Sequence, residues 1–373
     1  MRIIKKLRIN FCNGDVVRRF YIFGKPVIEY KKTGHKRKWQ LYHMPKPYKG
    51  QRVFYLKINR IHQTSFDCIQ QWMDIVEKMD GFCYFVCDNK QMEYNVFTKP
   101  CWFHNKKFAF IPSDRKTLRS ELKRILHNVE REKLWRRIAS SMMTPFIHAA
   151  KHNYTRSYNI DADDIMLLAK SDALAKAFIK AEEYAEQHDL DCFNLDMFVS
   201  KTFGVHWSFG VVYVRKPQKC IGMVVKNTNW RENTTLIEQY KCVYLKHFNF
   251  NVDWLFTFLR DTKQLNLKTF YIENAMVVHM PDIAISRHWA FMFQWRNNNI
   301  NFPILRYLYA DEIWQTLPIY KECVQINIGL SEKSYTDFLN EFYHSNHLFE
   351  HQMLDFALTR KILSKQQYKL LKN

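Results

Sequence analysis

Three aspartates stand within four positions, at Asp161, Asp163 and Asp164, in the stretch "YNIDADDIM". Carboxylate oxygens are the ligands that Mg²⁺ and Mn²⁺ prefer, and one or two carboxylates usually suffice, because waters and phosphate oxygens fill the other positions. Asp161 and Asp163 point to the same side of the chain if it stays extended through Ala162. The spacing fits a divalent cation that binds a phosphorylated ligand.

The same carboxylates also have structural interpretations. A solvated turn rich in aspartate is common after a strand and needs no ligand. An EF-hand is excluded, because counting Asp161 as position 1 puts Met166 where glycine is needed and Asp172 where glutamate is needed. The residues alone leave a turn and a metal site open.

The chain as a whole is strongly basic, with 57 Lys and Arg against 36 Asp and Glu and a net charge of +21 over 373 residues. Such an excess attracts nucleic acid, anionic lipid headgroups or phosphorylated small molecules, and it does not choose among them. No apolar run is long enough to span a bilayer. Nine cysteines without a CxxC pair predict reduced core thiols and a cytoplasmic protein.

Alternating strand and helix patterns predict the elements that position the aspartates. "RVFYLKI" (52–58) and "GFCYFVCDN" (81–89) are strand-like, and a helical pattern lies between them. "TRSYNI" (155–160) is a further strand, and the aspartates fall at its carboxyl end, where open α/β sheets bind ligands. We predict an α/β protein with a mixed, mainly parallel sheet flanked by helices.

"YNIDADDIM" resembles the DxD motif of GT-A-fold glycosyltransferases, in particular the "fLDaDD" signature of an inverting group that includes many bacterial polysaccharide enzymes. "NVDWLFTFLRDTKQLNLKTFYIENAMVVH" (251–279) is similar to that group's "gEDxdLxxRlxxaGykixyxpxaxvxH". "YLKINR" and "FVCDN" are similar to its first two strands, and "FGVVYVRK" to its acceptor-side strand. The ordered motifs cover about residues 52–285 and imply a GT-A-like, Rossmann-like fold.

The resemblance assigns a metal site and a nucleotide site. It implies that Asp161, Asp163 and His279 hold Mn²⁺ or Mg²⁺. It also implies that Asp161, Asp88 and Asn59 contact the nucleotide, which would be the diphosphate of a nucleotide sugar, with UDP favoured. His279 as a core histidine, Asp88 as a turn residue and Asp161 as a strand-end cap remain open alternatives.

The resemblance also implies that Asp253 is the catalytic base. It would take a proton from an acceptor hydroxyl of a glycan or lipid-linked oligosaccharide, while the metal stabilises the leaving diphosphate and the sugar inverts. Asp253 in the first turn of a helix is the structural alternative. The implied enzyme is a hexosyltransferase of surface polysaccharide synthesis, such as that of lipopolysaccharide.

We expect three regions: a basic and aromatic N-terminal extension outside the core (1–50), a catalytic domain (51–299) and a helical, basic C-terminal region (300–373). Within the catalytic domain, the nucleotide-sugar half runs to about residue 168 and the acceptor half follows. The basic stretches "KKTGHKRKW" and "RKILSKQQYKLLKN" are solvated faces or peripheral contacts with an anionic membrane.

Two other functions stay open. A nucleic-acid-binding or processing protein would use the basic charge and the aromatic residues, although no DNA- or RNA-binding motif is present and no nucleic acid is expected. A sugar nucleotidyltransferase would also place carboxylates on a strand, but the chain has no glycine-rich phosphate loop.

Overall fold

The computed structural model describes residues 4–11, 13–23, 25–58, 63–87, 108–113, 133–161, 164–167, 171–195, 197–200, 204–207, 209–227, 252–272, 276–279, 299–301 and 324–326. The strands are β1 (Ile4–Asn10), β2 (Val16–Ile22), β3 (Lys25–Thr33), β4 (Lys36–Leu41), β5 (Val53–Ile58), β6 (Phe82–Cys87), β7 (Phe108–Pro112), β8 (Ser157–Asp161), β9 (Asp164–Leu167), β10 (Cys192–Asn194), β11 (Met197–Ser200), β12 (Gly204–Trp207), β13 (Val211–Val214), β14 (Leu267–Ile272), β15 (Met276–His279), β16 (Asn299–Asn301) and β17 (Val324–Ile326). The helices are α1 (Gln63–Lys78), α2 (Lys133–His152), α3 (Ser171–Gln187), α4 (Pro217–Lys226) and α5 (Val252–Asp261).

The central sheet has eight strands in the order β17-β14-β10-β13-β8-β5-β6-β7. Strand β13 runs antiparallel to both of its neighbours, and all the other neighbouring pairs are parallel. Every residue of β5 and β6 is buried, as expected for strands of a parallel sheet that is covered on both faces. The predicted mixed, mainly parallel sheet is thus confirmed in the described residues.

Helices cover both faces of this sheet. Alternate residues of β5 pack against the helices on opposite faces. Phe54, Leu56 and Ile58 belong to a hydrophobic cluster with α1 and α3, in which Trp72 stacks on Phe178 with ring centroids 6.1 Å apart. Val53 and Tyr55 of β5 belong to a second cluster, which contains Ala149 of α2. Alternation along the strand therefore buries both faces.

The first 50 residues are not an extension outside the core, so that expectation is wrong. Strands β1 to β4 form an antiparallel sheet in sequence order. Its buried side chains, including Leu7, Ile9 and Val17, belong to the same hydrophobic cluster as β5 and α1. The period-2 alternation of "KKLRIN" and "VVRRFYI" carries this amphipathic pattern, in which Leu7, Ile9 and Val17 share the buried face.

The C-terminal region contains strand where we expected helix. Val324–Ile326 form β17, which pairs in parallel with β14 and adds an edge strand to the central sheet. The other residues predicted to be helical after 301 lie outside the described residues.

Two smaller sheets complete the described part of the chain. Strands β12, β11 and β16 form one, and β15 and β9 form the other. Four cysteines, Cys83, Cys87, Cys192 and Cys220, are buried free thiols, which confirms the expected core thiols at these positions. Among the described helices, none has the length and apolar character that crossing a bilayer requires.

Candidate functional site

The central sheet reverses its strand order between β5 and β8. From β5 the chain proceeds to β6 and β7 on one side, whereas β8, the next strand, lies on the other side of β5. In open α/β sheets, ligands bind outside the carboxyl ends of the strands at such a switch point. Strand β5 ends at Ile58 and β8 ends at Asp161, so the predicted aspartate stands at this point.

Lys57 and Asp161 meet at the switch point. They are directly opposite each other in the register of β5 and β8, and Lys57 Nζ lies 3.0 Å from Asp161 Oδ1. The Lys57 side chain is fully buried, while that of Asp161 is 19% exposed. A buried ammonium needs a counter-charge, and this carboxylate supplies it.

The turn before β13 completes the surroundings of this pair. Lys57 Nζ donates to the Phe209 carbonyl at 3.1 Å, and the Asp161 amide donates to the Gly210 carbonyl at 2.8 Å. The two hydrogen bonds fix the chain on both sides of the pair. Asp161 is therefore a positioned carboxylate at the end of a strand and not part of a mobile solvated turn.

A second charged group connects the same two strands near their amino ends. Glu182 of α3 accepts from Arg52 Nε at 2.9 Å and from the Tyr158 hydroxyl at 2.6 Å. Burial raises the pKa of Glu182, and its hydrogen bonds to Tyr158 and Arg52 act in the opposite direction. Strands β5 and β8 are thus held together by buried charge at both ends.

The strand after the aspartates pairs with the strand that ends at His279. Strand β9 is antiparallel to β15, and the register sets His279 opposite Asp164. Two segments that are more than a hundred residues apart in sequence are therefore adjacent beside the carboxyl end of β8. The His279 side chain lies outside what the structure describes.

Helix α5 begins at Val252, so Asp253 is its second residue and lies in the first turn of the helix, a placement compatible with both interpretations of this residue. The Trp207 amide donates to Thr257 Oγ1 at 2.9 Å, and Phe256 packs against Phe209 with ring centroids 4.8 Å apart. These contacts pack α5 against the turn at Phe209, whose carbonyl accepts a hydrogen bond from Lys57. The Asp253 side chain lies outside the described residues.

From the sequence, the aromatic stretch "HWSFG" (206–210) could stack on an acceptor sugar or pack in the core. Core packing accounts for its two rings that the structure describes. Trp207 and Phe209 are buried beside Phe146 and Phe256 in the core between α2 and α5. Their rings are therefore unavailable to stack on a sugar.

Three predicted site residues, Asn59, Asp88 and Asp163, lie outside the described residues. Asn59 and Asp88 follow β5 and β6 directly in sequence, and Asp163 comes two residues after the end of β8. These three strands are neighbours and parallel, so they end at the same edge of the sheet. The nucleotide contacts proposed for Asn59 and Asp88 remain predictions.

The donor set suits a hard divalent cation, and Lys57 limits the contribution of Asp161 to it. Carboxylate oxygens are ligands that Mg²⁺ and Mn²⁺ accept. Lys57 occupies Oδ1 of Asp161 and leaves Oδ2 as the oxygen that an ion would take. In the described ranges, no three His, Cys, Asp or Glu side chains come together as a metal-binding group. The predicted metal ligation by Asp161, Asp163 and His279 stays a proposal.

Lys57 was not among the predicted site residues, although its place in an apolar strand points to a buried charge. "VFYLKI" is an apolar strand with one lysine next to its carboxyl end. A lysine in a fully buried strand requires an anionic partner. Two other predicted strands, 81–89 and 155–160, have aspartates at their carboxyl ends and offered such a partner.

A cluster of aromatic and imidazole groups lies on the α2 side of the sheet. The Tyr55 hydroxyl is 2.9 Å from His148 Nδ1, and the His148 ring contacts those of Tyr84 and His152 at centroid distances of 4.8 and 4.4 Å. Burial lowers the pKa of His148 to about 4, with smaller contributions from the charges of His152 and Lys151. His148 is therefore neutral at pH 7.

Comparisons with known proteins find a distant likeness among solved structures. No protein-family model and no curated protein sequence matches the chain. Among solved structures, mouse xyloside xylosyltransferase 1 in its apo form is similar, with a TM-score of 0.40 and 8% sequence identity. The likeness covers 59% of this chain and 84% of that one, and at this TM-score it does not establish a shared fold.

Proposed function

We propose that the protein is a metal-dependent glycosyltransferase. In this proposal it moves a sugar from a nucleotide diphosphate sugar, with UDP as the favoured nucleotide, to a hydroxyl of a glycan or lipid-linked oligosaccharide, with inversion. The observation that carries the proposal is the positioned carboxylate of Asp161 beside the buried Lys57 at the switch point of the sheet. The pathway that fits is surface polysaccharide synthesis.

Asp161, Asp163 and His279 are the residues that would hold Mn²⁺ or Mg²⁺. The pairing of β9 with β15 supports this grouping, because it sets the backbone of His279 opposite the residue after Asp163. A bound ion would act as a Lewis acid toward the leaving diphosphate.

Lys57 has two effects on this proposed site. It balances the charge of Asp161, which reduces the repulsion between the neighbouring carboxylates. Its positive charge also favours a diphosphate at the carboxyl end of β5. Because Lys57 is fully buried, it acts through Asp161 and through the local potential, and we assign it a positioning role.

Asp253 is the proposed base. The first turn of α5 presents amide groups whose partial positive charge favours an ionised aspartate, the form that accepts a proton. Contacts of α5 with the turn at Phe209 connect this helix to the Lys57 and Asp161 pair. The acceptor hydroxyl would lose its proton to Asp253 while it attacks the anomeric carbon.

The products distinguish this activity from its rivals. The purified protein is incubated with nucleotide sugars, Mn²⁺ and candidate acceptors, and the released phosphate species are separated by anion-exchange chromatography. The proposal expects a nucleoside diphosphate in the presence of acceptor. Release of pyrophosphate would identify a nucleotidyltransferase, and tight binding of nucleic acid without release of either product would favour the nucleic-acid alternative.

A further inference from the structure

The N-terminal sheet has an outer face that differs from its core face. Cross-strand register sets Phe20, Ile28 and Leu41 side by side in one row of this face. Arg18, Tyr30 and Trp39 form the adjacent row. Residues two apart on a strand point to the same side, so the two rows belong to one surface, which we call the outer face.

Aromatic rings on the outer face contact one another and the cations beside them. Trp39 lies 5.5 Å from Phe20 and 5.0 Å from Tyr30 between ring centroids. Arg18 lies over the Tyr30 ring at 5.5 Å, and Lys6 over the Phe20 ring at 5.9 Å. Trp39 nevertheless stays 62% exposed, so this cluster is not closed against other parts of the protein.

Negative charge is absent from the outer face. The two acidic residues of the first 50 are Asp15 and Glu29, and both are 4% exposed. Glu29 pairs in register with Arg19 on the core face, with Arg19 Nε 2.8 Å from Glu29 Oε1. The charges that the outer face presents are therefore all positive, at Lys6, Arg8, Arg18, Lys32 and Arg37.

Like charges stand opposite each other on this face. Arg8 is opposite Arg18 on β1 and β2, and Lys32 is opposite Arg37 on β3 and β4. Directly opposed like charges destabilise a sheet. An anionic partner would relieve this repulsion, so the arrangement favours a polyanionic surface against the sheet.

Apolar exposure is concentrated in the same region. Among the side chains that the structure describes, every exposed large hydrophobic one lies between residues 4 and 48. These side chains are Ile4, Phe23, Trp39, Leu41, Met44 and Tyr48, with exposures from 43% to 73%. Clustered apolar groups among cations mark an interaction surface and not an ordinary solvated face.

We propose that the outer face of the N-terminal sheet docks on an anionic phospholipid bilayer. Lys and Arg side chains bind anionic headgroups, and Trp and Tyr favour the interface between headgroups and acyl chains. Exposed Ile4 and Leu41 separate this partner from single-stranded nucleic acid, because aliphatic side chains contribute little to base stacking but insert favourably at a lipid interface. The proposal does not depend on glycosyl transfer.

Flotation with lipid vesicles tests the docking surface on the full-length protein. Wild type is expected to float with vesicles of phosphatidylcholine and phosphatidylglycerol and to remain in solution with phosphatidylcholine alone. Lys32→Glu with Arg37→Glu preserves a like-charge pair across the strands while it reverses the attraction. At roughly 1 kcal/mol for each cation near the surface, the loss of two cations should weaken partitioning by about twentyfold or more.

Two further variants separate a local surface from net charge. Lys176→Glu with Lys268→Glu changes the net charge equally on exposed residues of α3 and β14, and it should leave vesicle binding at the wild-type level. Trp39→Ala with Leu41→Ala leaves the charge unchanged and should weaken binding to anionic vesicles.

Three results would overturn the proposal. One is that wild type fails to bind anionic vesicles. Another is that the α3 and β14 variant loses as much binding as the β3 and β4 variant. The third is that a single-stranded oligonucleotide binds at a protein concentration at which vesicles do not. Circular dichroism melts of each variant establish that it is folded.

Discussion

Lys57 is fully buried and contacts Asp161, which is 19% exposed, across two parallel strands at a distance of 3.0 Å. Loss of the partner should therefore cost more stability when Lys57 is the residue left behind than when Asp161 is. Among the described residues, removal of Asp161 leaves the buried ammonium with the Phe209 carbonyl as its remaining partner, whereas removal of Lys57 leaves a carboxylate that water can reach.

Asp161→Ala should destabilise the protein more than Lys57→Met. Removing one partner of a buried ion pair costs about 3–5 kcal/mol when the remaining charge stays buried. Urea denaturation measures both free energies of unfolding. The double variant Lys57→Met with Asp161→Ala should recover part of the loss, and equal costs for the two single variants would contradict the described geometry.

Gly81 tests the packing beneath the same strand pair. A methyl group at Gly81 would lie 2.6 Å from Cε2 of Phe54, whose ring stacks on Tyr158 at 4.7 Å. Gly81→Ala should therefore cost about 1–3 kcal/mol through overpacking. Gly222→Ala in α4 is the matched control, because nothing lies within 4 Å of the added methyl group. Replacing a glycine inside a helix by alanine stabilises the folded protein by about 0.5–1 kcal/mol. The melting temperature should therefore fall for Gly81→Ala and rise for Gly222→Ala.

His148 should make stability depend on pH in the acid range. Its pKa is about 4 in the folded protein and 6.5 in the unfolded chain, so the unfolded chain binds the proton first as the pH falls. The resulting loss of stability begins below pH 6.5 and is complete below pH 4, with a slope of at most about 1.4 kcal/mol per pH unit for one proton.

His148→Gln should remove this contribution, and His188→Gln at an exposed position should not. Urea denaturation of the three proteins at several pH values between 4 and 7 measures the difference. If the His148→Gln variant loses stability with acid as steeply as wild type does, the assigned pKa is wrong.

Asp253→Asn should lower kcat strongly without loss of nucleotide binding. Removal of a general base lowers kcat by about 10²–10⁴-fold, while the nucleotide contacts lie elsewhere in the proposal. Asp261→Asn at the other end of α5 is the control for a lost aspartate in the same helix. A wild-type kcat for Asp253→Asn would exclude this residue as the base.

The α/β class could be predicted from the sequence because strand-like and helical patterns are local and alternate along the chain. The run "FCYFVC" is short, apolar and bounded by Gly81 and Asp88, which is typical of a strand in a covered sheet. The position of Asp161 at the carboxyl end of a strand was also predictable, because the aspartates directly follow the strand-like "TRSYNI".

Contacts between distant segments were not predictable in the same way. Pairing of β9 with β15 joins residues near 165 to residues near 278, and no local pattern fixes that register. The N-terminal sheet was underestimated because its cations suggested a solvated extension, whereas alternate residues such as Leu7 and Ile9 are buried. The strand at Val324–Ile326 is too short to be distinguished from helix by periodicity.

Calorimetric titration of UDP into the protein, with and without Mn²⁺, tests the central claim most directly. Wild type and Asp163→Ala are compared, with Asp172→Ala as a control for an exposed aspartate on α3. The account predicts Mn²⁺-dependent binding of UDP to wild type and to Asp172→Ala, and loss of that binding in Asp163→Ala. Equal binding of UDP to wild type and to Asp163→Ala, or binding that does not change when Mn²⁺ is removed, would contradict it.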